Sequence, residues 1–292
     1  MKINSIVPQA ESVKKITFDG FDPNDYGIER IYSTSDDGTQ VPISLIYKKS
    51  TFKKDGSNPL YLYGYGSYGI SMEPQFRPHI FPLLDKGFVY AIAHIRGGAD
   101  LGYYWYEAAK FLTKKRTFED FISCAKHLCN TNYTSKGNIA IDGRSAGGML
   151  IGYTINTAPD LFKAAVLGVP FVDVLNTMLD ETLPLTATEF EEWGNPKDPQ
   201  YYDYIKSYSP YDNVKAQHYP AIFMTTGIKD PRVGYWEPAK FLAKIKSMKL
   251  DQNPLLMKTN MAAGHFGKSS RFEMYKEYAE EYAFILHIFL SR

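Results

Sequence analysis

The sequence predicts an α/β fold in which one mostly parallel, eight-stranded sheet carries helices on both faces. Apolar strand-like segments alternate with helix-like segments over most of the 292 residues. A hairpin-type turn near the start adds an antiparallel edge to this pattern. A serine between glycines also lies where a strand meets a helix. A chain of this length buries about three quarters of its unfolded surface, so its core can stand without disulfides or metals.

The strands and helices follow in order along the chain. Eight segments have strand composition: 29–34, 41–47, 60–63, 88–95, 139–142, 164–167, 222–226 and 255–258. The first two flank the turn Ser35-Asp36-Asp37-Gly38, so we expect them to pair antiparallel. Helical periodicity lies around 79–86, 117–129, 146–158, 235–248 and 272–289. The stretch 171–219 is predicted to be a long functional loop, a cap or binding wall. We divide the chain into an N-terminal segment, 1–26, without periodicity, and a domain, 27–292.

The glycine-flanked serine lies in Gly143-Arg144-Ser145-Ala146-Gly147, directly after the fifth strand and before a helix. This context is typical of a nucleophile elbow, where a strained turn pushes the serine hydroxyl out of the sheet. Eight strands with the elbow after the fifth is the α/β-hydrolase layout. The sequence therefore predicts Ser145 as a nucleophile.

A serine hydroxyl needs a base that takes its proton and an acid that orients the base. His265 follows the eighth strand in a glycine-bracketed loop, and we predict it as the base. His79, His127 and His287 lie in helical patterns, where packing or surface roles are expected. Two acids remain open, because Asp230 follows the seventh strand and Asp173 follows the sixth. Asp230 is favoured because it lies where the next helix begins, close to the loop that carries His265.

A tetrahedral oxyanion needs two hydrogen-bond donors. The backbone amide of Ala146, the residue after the nucleophile, is the expected first donor. The loop after the third strand, Tyr63-Gly64-Tyr65-Gly66-Ser67-Tyr68-Gly69, can bend close to the site, and Tyr65 can offer its phenol. A flexible aromatic turn without that role is nearly as well supported by the sequence alone.

Composition limits the partners. With 33 basic and 32 acidic residues the net charge is +1, which predicts no nucleic-acid partner and no polybasic membrane contact. Cys124 and Cys129 lie five residues apart on one predicted helix and cannot form a disulfide with each other, so both are interpreted as reduced thiols. The first residues lack a signal-peptide pattern, and we expect a cytoplasmic protein. No metal and no cofactor are predicted.

Seven motifs occur in order along the chain. They are 63–69, His94-Ile95-Arg96-Gly97-Gly98, 143–148, Val169-Pro170-Phe171-Val172-Asp173-Val174, Glu191-Glu192-Trp193-Gly194-Asn195-Pro196, Asp230-Pro231-Arg232-Val233 and Gly264-His265-Phe266. Together they resemble the catalytic domain of the prolyl oligopeptidase family, and within it the members that cleave after Arg or Lys. The resemblance implies a serine oligopeptidase that acts on short basic peptides through an acyl-enzyme.

The resemblance also implies roles for individual residues. Ser145, Asp230 and His265 match the triad, Tyr65 and the Ala146 amide match the oxyanion hole, and Arg232 matches an arginine that holds a substrate carbonyl. Glu189 and Glu191 match the acids that receive the P1 side chain. Glu73 matches one of two acids that favour a basic P2 residue, but Gln75 replaces the other.

Family members also carry an N-terminal extension and a β-propeller, for which this chain has no room, so a separately encoded propeller is a possible partner. Two other functions stay open: an esterase or acylpeptide hydrolase on the same fold, and an inactive remnant.

Overall fold

A computed structural model describes residues 2–3, 10–11, 20–267 and 270–290. Its strands are β1 (Lys2–Ile3), β2 (Ala10–Glu11), β3 (Tyr26–Thr34), β4 (Gln40–Lys48), β5 (Leu60–Tyr63), β6 (Val89–Ala93), β7 (Ile139–Arg144), β8 (Phe162–Gly168), β9 (Ala221–Gly227) and β10 (Leu255–Asn260). Its helices are α1 (Phe81–Asp85), α2 (Tyr103–Glu107), α3 (Lys115–Asn130), α4 (Ala146–Thr157), α5 (Val174–Leu179), α6 (Thr186–Trp193), α7 (Pro199–Lys206), α8 (Trp236–Met248) and α9 (Arg271–Leu290).

Eight strands form one sheet in the order β10-β9-β8-β7-β5-β6-β4-β3. Strand β4 pairs antiparallel with both β3 and β6, and every other pair in the sheet is parallel. The short β1 and β2 form a separate antiparallel pair. The predicted fold class is confirmed, and each predicted strand lies within a few residues of an observed one.

Apolar side chains cover both faces of the sheet, which is why its parallel strands are almost continuously apolar. On one face α3, α4 and α8 contribute Phe121, Leu150 and Phe241 to a large buried cluster. On the other face α1 and α9 contribute Leu84 and Ile285 to a second cluster. The sheet is therefore the middle of three layers, and its strand ends are free to carry a site.

The stretch between β8 and β9 differs from the long loop that the sequence predicts. It contains three short helices, α5, α6 and α7, of six to eight residues each. Helices this short gain little from intrinsic propensity and depend on packing, so periodicity alone did not reveal them. Trp193 at the end of α6 is 1% exposed and anchors the stretch to the core.

Two further expectations concern thiols and membranes. Cys124 and Cys129 both lie on α3 and are free cysteines. Of the helices that the structure describes, none combines the length and the apolarity needed to cross a bilayer.

Candidate active site

Ser145 stands at the turn between β7 and α4 with φ +56° and ψ −120°, a strained backbone for a residue with a side chain. A Cβ atom at Gly143 would lie 2.2 Å from the Gly147 carbonyl oxygen, and one at Gly147 would lie 3.0 Å from the Gly64 carbonyl oxygen. The turn therefore requires glycine at 143, and a side chain at 147 would fit only tightly. The half-buried Ser145 hydroxyl lines a cleft.

His265 reaches Ser145 from the loop after β10. Its Nε2 lies 3.0 Å from the Ser145 Oγ, and its Nδ1 lies 2.7 Å from the Asp230 Oδ2. The His265 side chain is 7% exposed and that of Asp230 is 0% exposed. Because Nδ1 faces a carboxylate, it carries the proton in the neutral ring, which leaves Nε2 as the acceptor for the serine hydroxyl.

Asp230 follows β9 and is held by its own loop. Its Oδ1 accepts the amides of Arg232 and Val233 at 2.8 and 2.9 Å. Burial alone would raise the Asp230 pKa, but the bond from His265 and the two amides together hold that pKa below its usual range. The alternative acid, Asp173, pairs with Lys240 and bonds to Asn176. The structure therefore brings Asp230 to His265 and holds Asp173 in other contacts.

Of the two candidate oxyanion donors, Tyr65 lines this cleft and Ala146 directly follows Ser145, which also lines it. Ala146 is the first residue of α4 and is buried, and amides in a first helical turn have no intrahelical partner. Tyr65 lines the cleft, and burial raises the pKa of its phenol well above the usual value, so the phenol keeps its proton. Both groups are hydrogen-bond donors.

The cleft has a volume of about 790 Å³ and opens at the carboxyl ends of the parallel strands. Strand-end residues Tyr63, Arg144, Gly227 and Asn260 line it, as expected for a site on an open α/β sheet. Phe171 and the segment 183–186 form the wall that the stretch between β8 and β9 supplies. The prediction that this stretch borders the site therefore agrees with its position.

The three acids of the sequence motif Glu189, Glu191 and Glu192 occupy different environments. Glu189 lines the cleft, and its Oε2 accepts bonds from the Tyr68 hydroxyl at 2.7 Å and the Trp193 indole at 2.9 Å. Glu191 is exposed and is not among the residues that line the cleft. Of the two predicted P1 acids, only Glu189 is brought to the cleft.

Sequence reasoning missed Glu192, which is 4% exposed. Its two oxygens accept the Tyr68 amide at 2.9 Å and the Tyr106 hydroxyl at 2.6 Å. The 3.6-residue period was the available signal, because positions 189, 192 and 193 share a helix face from which 191 points away. The position of each acid around the axis of α6 therefore predicts its environment better than its spacing along the sequence does.

The remaining predicted substrate contacts lie at the rim. Arg232 is exposed, lines the cleft and stacks over the Phe266 ring at 5.0 Å. Glu73 is exposed and lies outside the cleft lining, although the adjacent Met72 belongs to it. Within the described ranges, no three His, Cys, Asp or Glu side chains are grouped to hold a metal ion.

Known proteins share both the sequence and the fold. A model of the prolyl oligopeptidase family matches residues 74–292. Protease 2 of Moraxella lacunata is 52% identical over 266 residues, which cover 91% of this chain and 38% of that protein. Dipeptidyl aminopeptidase BI of Pseudoxanthomonas mexicana is 46% identical over 286 residues, which cover 98% and 39%.

Among solved structures, oligopeptidase B from Trypanosoma brucei with covalently bound antipain superposes with a TM-score of 0.94 at 46% identity. The match covers 99% of this chain and 41% of that one. This chain thus spans about two fifths of the length of the proteins that it matches.

Proposed function

This chain belongs to the prolyl oligopeptidase family, as its motifs predicted, and we propose that it hydrolyses short peptides after Arg or Lys through an acyl-enzyme on Ser145. The observation that carries the proposal is the continuous hydrogen-bonded line from Ser145 through His265 to Asp230 at the floor of a cleft.

In the first half of the reaction, the Ser145 Oγ attacks the scissile carbonyl carbon while its proton moves to the His265 Nε2. Asp230 stabilises the imidazolium that forms, since it already accepts from Nδ1. The carbonyl oxygen becomes an oxyanion that accepts from the Ala146 amide and the Tyr65 hydroxyl. The carbon–nitrogen bond then breaks, and His265 gives its proton to the departing amine.

In the second half, water takes the place of the amine. His265 accepts a proton from the water as its oxygen attacks the acyl carbon of the serine ester. The bond to Oγ breaks, the proton returns to Oγ, and the carboxylic acid product leaves. The same donors hold the oxyanion in both halves, so one geometry serves acylation and deacylation.

The preference for a basic P1 side chain rests on Glu189. A guanidinium entering an apolar cleft needs a carboxylate partner, since a buried unpaired charge is costly. The Tyr68 hydroxyl and the Trp193 indole both donate to Oε2 of Glu189, which leaves Oε1 to accept from a ligand. Phe171 and Tyr68 provide aromatic wall beside it. A planar guanidinium can also stack on such rings, which favours Arg over Lys.

The test compares Glu189→Gln with the exposed neighbour Glu191→Gln as a matched control. We expect Glu189→Gln to lower kcat/KM for an Arg reporter peptide by about 10²-fold, because one charge-assisted bond is lost and the guanidinium is left unpaired. A Phe reporter, poor in the wild type, should change little. Equal losses for Arg and Phe reporters, or an equal loss in Glu191→Gln, would refute the charge pocket.

The whole protein's partners are also part of this proposal. Short basic peptides are the substrates, a propeller domain is a partner of the catalytic domain, and the cytoplasm is the compartment. The propeller partner is tested by adding a purified propeller domain and measuring whether the length of the peptides that are hydrolysed changes.

A further inference from the structure

Lys114 is a cation in an unusual place. It precedes α3 and its side chain is 1% exposed. Its Nζ donates to the Gly66 carbonyl oxygen at 2.5 Å and to the Ser67 Oγ at 3.0 Å, and it lies 5.2 Å from the centre of the Trp193 ring. The ammonium thus donates hydrogen bonds to the loop after β5, the same loop that carries Tyr65.

Burial of this ammonium works against its charge. Burial lowers the Lys114 pKa to about 8, although the negative charge of the nearby Glu192 carboxylate acts to raise it. A methionine of similar length would fill the space without that cost. The bonds to Gly66 and Ser67 are therefore the feature that distinguishes lysine from an apolar residue here.

The loop is also held from its other side. The Tyr68 amide donates to the Glu192 Oε1, and Glu192 itself sits on α6. Gly66 has φ +73°, and a Cβ atom there would lie 2.5 Å from the Thr117 side chain. Three consecutive residues, 66 to 68, are thus fixed by a cation, a carboxylate and close packing immediately after Tyr65.

We propose that Lys114 is a positioning residue for the oxyanion hole: by holding the Gly66 carbonyl and the Ser67 hydroxyl, it sets the direction of the Tyr65 phenol. This proposal rests on the proposed role of Tyr65 as an oxyanion donor. Lys114 itself touches no reacting atom, because its bonds end on the loop behind Tyr65. Its effect must therefore pass through Tyr65.

A double-mutant cycle tests that dependence, because residues that act through one group are not additive. Tyr65→Phe should lower kcat by about 10²–10³-fold, as expected for one oxyanion donor. Lys114→Met should lower kcat about tenfold with KM changed by less than about twofold, the loss of a charge-assisted bond. In the Tyr65→Phe background, Lys114→Met should cost less than about twofold. Lys126→Met, an exposed position on α3, is the matched control and should change neither constant.

The outcomes separate the two proposals. If Tyr65→Phe is as active as the wild type, the oxyanion assignment fails and the positioning role fails with it. If Tyr65→Phe loses activity but Lys114→Met has no effect, or costs the same in both backgrounds, the positioning role alone is overturned. If Lys114→Met does not fold, Ser67→Ala replaces it in the cycle, with a loss of about threefold expected in the wild-type background only. An equal loss in both backgrounds overturns the proposal.

Discussion

Residues 20–267 contain two Ser-His-Asp constellations with nearly the same hydrogen-bond lengths. In the first, His265 lies 3.0 Å from the Ser145 Oγ and 2.7 Å from Asp230. In the second, His94 Nε2 lies 2.8 Å from the Ser44 Oγ and its Nδ1 lies 2.7 Å from Asp100. Distances between the three side chains therefore do not distinguish a catalytic group from a structural one.

What surrounds the serine does distinguish them. Ser145 has φ +56°, directly precedes α4, and lines the cleft. Ser44 lies within β4, which is paired on both sides, and it is 9% exposed. His94 is 1% exposed, and neither residue lines the cleft. The Ser44 hydroxyl instead lies between His94 and the Arg30 guanidinium, away from the residues that line the cleft.

The second group instead ties the sheet to the cleft rim. Asp100 Oδ1 accepts both the His94 ring and the Met72 amide. The Trp105 indole donates to the His94 carbonyl oxygen at 3.0 Å. The three residue types that we propose to transfer a proton at Ser145 thus serve, in the core, to satisfy one another's buried polar groups.

Replacing the two serines should give the largest contrast. Ser145→Ala should reduce kcat by about 10⁶-fold, because the triad members act as a unit. Ser44→Ala should leave kcat within about twofold of the wild type, since Ser44 contacts no cleft residue through its hydroxyl. Steady-state hydrolysis of an Arg reporter peptide measures both. A large kcat loss in Ser44→Ala would make the second constellation functional.

The two aspartates should differ next. Asp230→Asn should lower kcat by about 10⁴-fold, because the amide can favour the wrong tautomer of His265. Asp100→Asn should lower kcat by less than about tenfold, since its effect reaches the site only through the Met72 backbone. The same reporter assay gives both values, and similar losses at the two positions would break the distinction.

Stability should show the reverse order. Ser44→Ala should lower the free energy of unfolding by about 1 kcal/mol, because it leaves a buried His94 nitrogen with only a long contact to Arg30. Ser145→Ala should cost less than about 0.5 kcal/mol, since that serine is only half-buried and lines the cleft. Urea unfolding monitored by circular dichroism compares them. A greater loss in Ser145→Ala would contradict the assignment.

The last comparison concerns pH and a third carboxylate, Glu237 on α8. It is buried, and burial raises its pKa to about 7 although it accepts the amides of Val172 and Asp173 and the hydroxyl of Thr177. Between the unfolded pKa of about 4.3 and the folded value, the folded state holds more protons, so stability falls as pH rises through this window.

Glu237→Gln removes the titratable carboxyl group and keeps a side-chain oxygen that can accept from the Val172 and Asp173 amides. We therefore expect the wild type to lose stability relative to Glu237→Gln between pH 5 and pH 8, by on the order of 1–3 kcal/mol. The Tm of both proteins at the two pH values provides the measurement. A difference in Tm that does not change with pH would contradict a raised pKa at Glu237.

The sequence was sufficient for the sheet and for placing Ser145 and His265, whereas it left Asp230 and Asp173 both open as the acid. Alternating apolar segments located all eight strands of the sheet, and the glycine spacing located Ser145. His265 was identifiable because a glycine-bracketed loop follows the last strand. These features are local, or follow from strand order, so a single sequence carries them.

Long-range contacts were not predictable in this way. The burial of Glu192 depends on α6 packing against a loop more than a hundred residues away in the chain, and Lys114 bonds to that same loop from a position 48 residues away. The Ser44, His94 and Asp100 group likewise joins β4 to the loop after β6, and no spacing rule connects those positions. Residues with buried charge were therefore visible only once the tertiary structure was known.

Labelling with a fluorophosphonate, followed by peptide mapping, tests most directly which of the two serines is the nucleophile. We expect the wild type and Ser44→Ala to be labelled on Ser145 at the same rate, and Ser145→Ala not to be labelled. A wild type that takes up no label, or a Ser145→Ala variant that is labelled on Ser44, would contradict this expectation.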